Sequence, residues 1–514
     1  MGRALLPLAA GVLLAGPAAL AFFAGGYFDT PRLLAGIVAW ALVLVVAATT
    51  PRPLPASTAG RAALGGLVLL CGWSGVSLFW APLAGPATDS FTRLLLYVGA
   101  LVAAIALLRD RAAARAVDPA LALGALAVTG YGLTGRLLPG VLDLDRSSGA
   151  GSRLEQPITY WNAEGVLAGL GLVLCARVAG DRSRPVLMRA LASAGCAPLG
   201  TALYLTYSRG AIAAAVVGLV VLVAASPSWS QIRAALTALL ASLVPAMSSM
   251  LLPAVATLEG GRAAQRSEGA ILFLVVLAVM LAAGLSTAWI ARRERAGRLR
   301  AGEPGATRRL PTLAAMLAVL TVAGLVAGGL SERGDPSQLG RREGSARLLS
   351  IDSRRYEYWR VAVDELGRDP LIGTGAGGFR VLWLRDRPVA EGVLEVHSLP
   401  LETALELGLV GLLGLALFVG GAGSAARTAL RVQPHLAAGP VAACSVWLLH
   451  ATIDWDWQLP AVTLPAIVLA GALIAASEAR PAARRTPRRT ADDQLPSVLA
   501  VPAAREPASA SRVD

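Results

Sequence analysis

The feature that most constrains this chain is a recurring charge-free window, about 18 to 22 residues long, which repeats along most of the sequence and matches the roughly 30 Å hydrocarbon core of a bilayer. Apolar residues run all round these segments instead of keeping to one stripe, which sets them apart from the amphipathic helices of a soluble core. Only 15% of the residues are charged, against about 25% in soluble globular proteins. The reading is an all-α, polytopic integral membrane protein with about 12–14 transmembrane helices. Spans are expected at approximately 5–25, 33–49, 61–79, 91–108, 119–138, 161–178, 187–206, 210–225, 235–252, 269–290, 310–330, 400–421, 437–452 and 460–477.

Orientation follows from the arginines, since short cytoplasmic loops are enriched in basic residues. With the N-terminus inside, the inner loops hold Arg52 and Arg61; Arg109, Arg111 and Arg115; Arg182, Arg184 and Arg189; the run from Arg292 to Arg309; and Arg427 and Arg431. The short segments 80–90 and 453–459 on the other side hold none. The chain then divides into transmembrane helices one to eleven (1–330), an extracytoplasmic loop domain with a short helix (331–398), helices twelve to fourteen (399–478) and a disordered cytoplasmic tail (479–514). Localisation in the plasma (inner) membrane, with both termini cytoplasmic, is the expectation.

Net charge is +13, and every basic residue is Arg. No aromatic-interleaved basic domain exists to hold a nucleic acid, so that partner is excluded. The four cysteines stand singly inside apolar spans, with neither metal-ligand nor disulfide spacing. No metal and no cofactor is expected.

Ionisable and polar residues gather on the expected outer face. They are the run Arg153 to Asn162 before the sixth span, the corner Tyr207-Ser208-Arg209-Gly210, the loop arginines Arg347, Arg354, Arg355 and Arg360, and His397. His450, Asp454, Asp456 and Gln458 complete the set, and Glu402 and Glu406 lie one turn apart near the same face. Guanidinium groups bind phosphate oxygens bidentately and stay charged, so several around one cavity would hold a pyrophosphate. A histidine beside them is able to take a proton from a hydroxyl. Each also has a structural reading: juxtamembrane arginines snorkel to headgroups, loop arginines pair with Glu357 and Asp364, and Glu402 and Glu406 hydrate a helix entrance. Within the loop, Tyr356, Trp359, Val363 and Leu366 recur at helical spacing with Asp352 or Ser353 as N-cap, and a turn Gly373-Thr-Gly375-Ala-Gly377-Gly378 follows.

Taken in order, three stretches resemble the O-antigen ligase and O-antigen polymerase superfamily. They are Arg355-Tyr-Glu-Tyr-Trp359, Asp369-Pro370-Leu-Ile-Gly373-Thr-Gly375-Ala-Gly377-Gly378-Phe379, and His397-Ser398-Leu-Pro-Leu-Glu402 through Gly411. Tyr207-Ser208-Arg209-Gly210 is similar to the family's Ser-Arg-Gly corner, and Ser398 stands where the family often has Asn. The resemblance covers about residues 150–420. It implies a C-type membrane glycosyltransferase with one large external loop. Such an enzyme moves a glycan from an undecaprenyl-pyrophosphate carrier to a glycan or lipid acceptor hydroxyl on the outer face, with inversion and without metal. Carried over, His397 is the catalytic base or positioning group. Arg209, Arg153 and Arg355 meet the pyrophosphate, with Arg360, Asn162 and Glu402 as further substrate-binding candidates. The alternative reading is a polytopic transporter or flippase for glycans or small anions; intramembrane polar groups suit it.

Overall fold

The computed structural model describes residues 2–300 and 354–479. The expected span at 310–330, loop residues 331–353 with Arg347, Asp352 and Ser353, and the tail from 480 onward lie outside the described residues. Among the described residues every regular element is a helix. The long helices are α1 (Gly2–Ala21), α2 (Asp29–Thr49), α3 (Thr58–Val76), α4 (Ala84–Leu107), α5 (Arg111–Leu137), α6 (Trp161–Gly180), α7 (Val186–Leu205), α8 (Arg209–Ala225) and α9 (Trp229–Ser249). The short α10 (Pro253–Ala256) and the long α11 (Arg262–Arg295) follow. Beyond the undescribed stretch come α12 (Arg355–Glu365), α13 (Phe379–Asp386), α14 (Leu399–Val432), α15 (Pro434–Ala451) and α16 (Pro460–Ser477).

Ten of these helices are long and apolar enough to cross a membrane, and α8 and residues 5–21 of α1 are shorter apolar helices. The chain is a polytopic helical membrane protein. Helix starts are set where polar residues interrupt the apolar runs. Asp110 accepts from the Ala112 and Ala113 amides at 3.0 and 2.9 Å, and Ser57 accepts from Gly60 at 3.0 Å. At the centre stands α6, in contact with α5, α7, α8, α9 and α15. All its residues from Asn162 to Gly180 are buried. The loop that opens α6 is therefore delivered to the middle of one end of the bundle.

The helix α14 packs along α3 through small residues; a Cβ on Gly66 would stand 2.4 Å from the Phe418 nitrogen. Expected as one uninterrupted span, α14 is broken at Gly408, where φ is 62° and ψ is −158°, a region open essentially to glycine alone. The break frees backbone groups, and the glycine-rich turn takes them up. Leu409 N–H donates to Pro370 O at 2.9 Å, while the Thr374 and Gly375 amides donate to Leu405 and Glu406 carbonyls at 3.0 and 2.9 Å. The Glu406 carboxylate caps the following helix, accepting from the Gly377 and Phe379 amides at 2.8 and 3.2 Å. The turn is thus a backbone splint across a broken span.

The loop helix also differs from its expected packing. Its buried face is Tyr358, Val361 and Ala362, whereas Val363 is 55% exposed. The reason is α13: Tyr358 meets Trp383 edge-on at 5.0 Å between centroids, and Phe379, Trp383 and Val396 join the same small core. This core lies between α12, α13 and the start of α14, and it fixes the irregular segment that carries His397.

Candidate active site

Three buried groups organise one end of the bundle around the short connection between α15 and α16. Asp454, in that connection, is fully buried and forms an ion pair with Arg355 at the head of α12. Its other oxygen accepts from the Tyr160 hydroxyl at 2.8 Å and from the Trp455 amide at 2.9 Å. Tyr160 in turn accepts from the Asn162 amide at 2.7 Å. Behind it, His450 Nδ1 stands 2.6 Å from Asp456, and His450 Nε2 stands 3.9 Å from Asp454. Residues separated by hundreds of positions are thereby tied into one network.

The charges in it follow from their surroundings. Burial works against the Arg355 cation, but Asp454 and then Tyr160 outweigh it and hold the guanidinium above its ordinary range. Burial alone would raise the Asp454 carboxyl; Arg355, His450 and His397 bring it below the usual carboxylate range. Burial, followed by the Asp454 charge, pushes the Tyr160 phenol well above its ordinary value, so it stays a hydrogen-bond donor.

His397 precedes α14 with a left-handed backbone, φ 62°, which is uncommon for a residue other than glycine. The strain is held by the surroundings. The Glu402 carboxylate, one turn into α14, accepts from the Val396 amide at 3.1 Å and also from the Gln458 side chain. Glu395 is clamped by Arg380 at 2.7 Å and by Gln458 at 3.3 Å. The ring lies between Tyr358 and Trp455, with centroids at 5.2 and 6.1 Å. Its Nδ1 faces the Glu395 carbonyl at 2.9 Å. A carbonyl only accepts, so Nδ1 carries the proton and Nε2 is the basic nitrogen. Burial brings the imidazole down to about 4, which keeps it neutral and able to accept a proton.

Of the residues singled out in the sequence, Arg355, Asn162 and His397 meet at this network, and Glu402 backs it. Arg153 lies with its guanidinium 3.6 Å above the Trp161 ring, and Trp161 packs on Tyr160 at 5.0 Å. Arg209 is half-buried at the head of α8, where Ser208 caps the helix at 3.4 Å. The neighbouring Gly210 lies so close to α15 that a Cβ there would stand 3.2 Å from the His450 ring. Arg360 is on the exposed side of α12, 60% exposed and paired with Glu357 at 2.5 Å, away from this network. Tyr160 and Asp454 stood among the polar outer-face residues without a role, and Glu395 was not singled out. The signal for Asp454 was present in Asp454-Trp455-Asp456 between two spans, while its pairing with Arg355, 99 residues away, leaves no local trace. Among the described residues, no three His, Cys, Asp or Glu side chains converge as a metal site.

An essentially neutral base beside a fixed guanidinium, in a half-buried aromatic setting, suits proton abstraction next to a developing anion. Residues 263–416 match the family model of the O-antigen ligases, a stretch that contains Arg355, the splinted turn, His397 and Glu402. No curated protein matches the chain.

Proposed function

We propose that this chain, whose residues 263–416 match the O-antigen ligase family, is a membrane glycan ligase or polymerase that moves a glycan from a polyprenyl-pyrophosphate carrier to an acceptor hydroxyl. The proposed seat of this reaction is the outer face of the plasma membrane, on a C-type glycosyltransferase scaffold with both termini cytoplasmic. One observation carries the reading: His397, its Nδ1 turned to the Glu395 carbonyl, packs on Trp455, the residue next to the Asp454 that holds Arg355, at one end of the bundle.

In the proposed reaction, His397 Nε2 takes the proton of the acceptor hydroxyl as its oxygen attacks the anomeric carbon. The bond from that carbon to the pyrophosphate oxygen breaks, and the configuration inverts. Arg355, Arg209 and Arg153 receive the departing charge; fixed cations aimed at a developing anion lower the barrier without reorganising. No metal is required, because guanidinium groups neutralise the leaving group. Asn162 and Tyr160 keep Asp454, and through it Arg355, in place, while Glu402 keeps the His397 segment in place. Arg360, further out on α12, is assigned to the glycan beyond the reacting sugar.

The test is a transfer assay with the purified full chain in vesicles, using an oligosaccharide on a polyprenyl pyrophosphate as donor. His397→Ala is expected to stop transfer while the protein remains inserted and folded. Unchanged transfer in that variant contradicts the proposal.

A further inference from the structure

An apolar groove of 520 Å³ runs between α1, α2, α4 and α16. It extends from Val12 on α1 to Phe23 just past that helix, and on α2 from Thr30 to Leu42, about 15 to 18 Å along the helices at 1.5 Å per residue. Leu464 and Val468 of α16 form its floor. Its rim is open to the bilayer, since Phe23, Leu34 and Val38 are each exposed by 45% or more. The groove ends at the α1–α2 corner, where Phe23 and Thr30 flank Tyr27 in sequence.

That end joins the candidate site. The Tyr27 ring touches Trp455 at 5.6 Å between centroids, and Trp455 is the ring that faces His397. One turn above Leu96 of the groove wall stands Arg93, only 6% exposed, whose Nε meets no hydrogen-bond partner and whose NH2 donates to Ser90 alone at 3.2 Å. Two carboxylates of the site, Glu395 and Glu402, lie within electrostatic reach of Arg93, and both are hydrogen-bonded elsewhere, Glu395 to Arg380 and Gln458 and Glu402 to Gln458 and the Val396 amide. A buried guanidinium with so little satisfaction is costly unless an anion comes to it.

A second and larger groove, 1480 Å³, lies between α1 and α5. It reaches Arg52 and Arg109 and shares no residue with the site network. Bulk lipid filling needs no connection to a catalytic group, and this second groove has none. The first groove does, and that difference decides the assignment.

We propose that the α1–α2–α4–α16 groove seats the isoprenoid chain of the lipid-linked glycan donor, which passes Tyr27 so that its pyrophosphate lies at the site with Arg93 at the chain's upper end. This rests on the donor reading above and adds where the carrier lies. It also makes α1 and α2, outside the family match, part of substrate recognition.

Gly16 lines the groove, and a Cβ there meets nothing within 4 Å, so the backbone accepts a side chain at this position and Gly16→Phe places a ring at the groove. Gly11 stands likewise in the second groove, and Gly36 of α2 has open space around it. The experiment compares the full chain and these three phenylalanine variants in vesicles. Two donors carry the same oligosaccharide, one on a long polyprenyl pyrophosphate and one on a chain of two isoprene units. Gly16→Phe is expected to raise KM for the long-chain donor by about tenfold, the loss expected when about two methylene groups leave an apolar site. Its turnover of the short-chain donor stays unchanged, and Gly11→Phe and Gly36→Phe behave as the natural chain with both donors. Equal KM for the long-chain donor in Gly16→Phe and the natural chain overturns the assignment, as does equal impairment in all three variants. Loss of a co-purifying phospholipid from Gly16→Phe without any kinetic change also overturns it, and assigns the groove to bulk lipid. Failure of the natural chain to transfer from either donor is a different result, and it refutes the donor reading itself.

Discussion

Arg355 and Asp454 form an ion pair across 99 residues, joining the head of the loop helix α12 to the connection between the last two helices. The carboxylate is fully buried, and the guanidinium is 23% exposed. Removing one partner leaves the other charge buried and uncompensated, at a cost of about 3 kcal/mol. Arg355→Ala is therefore expected to lower the apparent melting temperature more than Arg355→Ala combined with Asp454→Asn. Thermal unfolding of the variants in detergent checks this, and all of them are expected to lose transfer. Arg355→Lys retains the charge without the planar fork and is expected to fold but transfer poorly.

The depressed His397 pKa has a pH signature. Its folded value of about 4 lies below the ordinary 6.5, so the unfolded chain binds more protons between these limits. This residue's contribution to stability is complete above pH 6.5 and is lost as pH falls toward 4. Activity follows the same sign: at pH 5 the neutral ring still outnumbers the imidazolium by about tenfold. The acid limb of kcat/KM is expected near pH 4 to 5, and a limb centred near 6.5 assigns the base elsewhere.

Gly408 is where α14 breaks. A Cβ there would stand 2.4 Å from the Leu371 carbonyl carbon and oxygen, and its backbone conformation costs a residue other than glycine about 1–3 kcal/mol. Gly408→Ala is expected to undock the 369–378 turn, make it sensitive to protease and reduce transfer. In the same helix, Gly420 has nothing within 4 Å of a Cβ, and Gly420→Ala is expected to be tolerated. Limited proteolysis of the pair separates the two positions.

Arg360 supplies the contrasting case. Its pairing with Glu357 is solvated, and exposed pairs of this kind contribute about 0–1 kcal/mol. Arg360→Ala is expected to leave stability unchanged and transfer from a short glycan donor within about twofold. A loss as deep as that of Arg355→Ala would place Arg360 at the leaving group.

How far the fold could be read in advance depended on what each feature leaves in the local sequence. Charge-free windows mark spans directly, so α1 to α3, α6 to α8, α15 and α16 coincide with the expected segments to within about four residues, whereas α4, α5, α9, α11 and α14 run six to eleven residues past them at one end, through polar and charged residues such as Asp89, Arg115, Arg262 and Arg427 that a charge-free window leaves out. The break at Gly408 left no such mark, because one glycine in an apolar run also fits a continuous helix. Its cause lies in the turn at 369–378, which supplies the missing hydrogen bonds. The packing face of α12 was hidden for a similar reason: Tyr358 is buried by Trp383 of α13, a neighbour that helical spacing does not reveal. At the site, His397, Arg355 and Asn162 were legible as chemistry-bearing residues beside apolar spans. The roles of Tyr160, Asp454 and Glu395 are relational, and only the folded chain brings them to their partners.

The central claim is that this chain transfers glycan with His397 as the base. The most direct measurement is single-turnover transfer from a polyprenyl-pyrophosphate oligosaccharide in vesicles, natural chain against His397→Ala, with folding monitored in parallel. The account predicts that the natural chain moves the glycan to acceptor, while the folded variant leaves the carrier loaded. Transfer at the natural rate by His397→Ala, or movement of intact loaded carrier across the vesicle membrane by the natural chain without transfer, contradicts it.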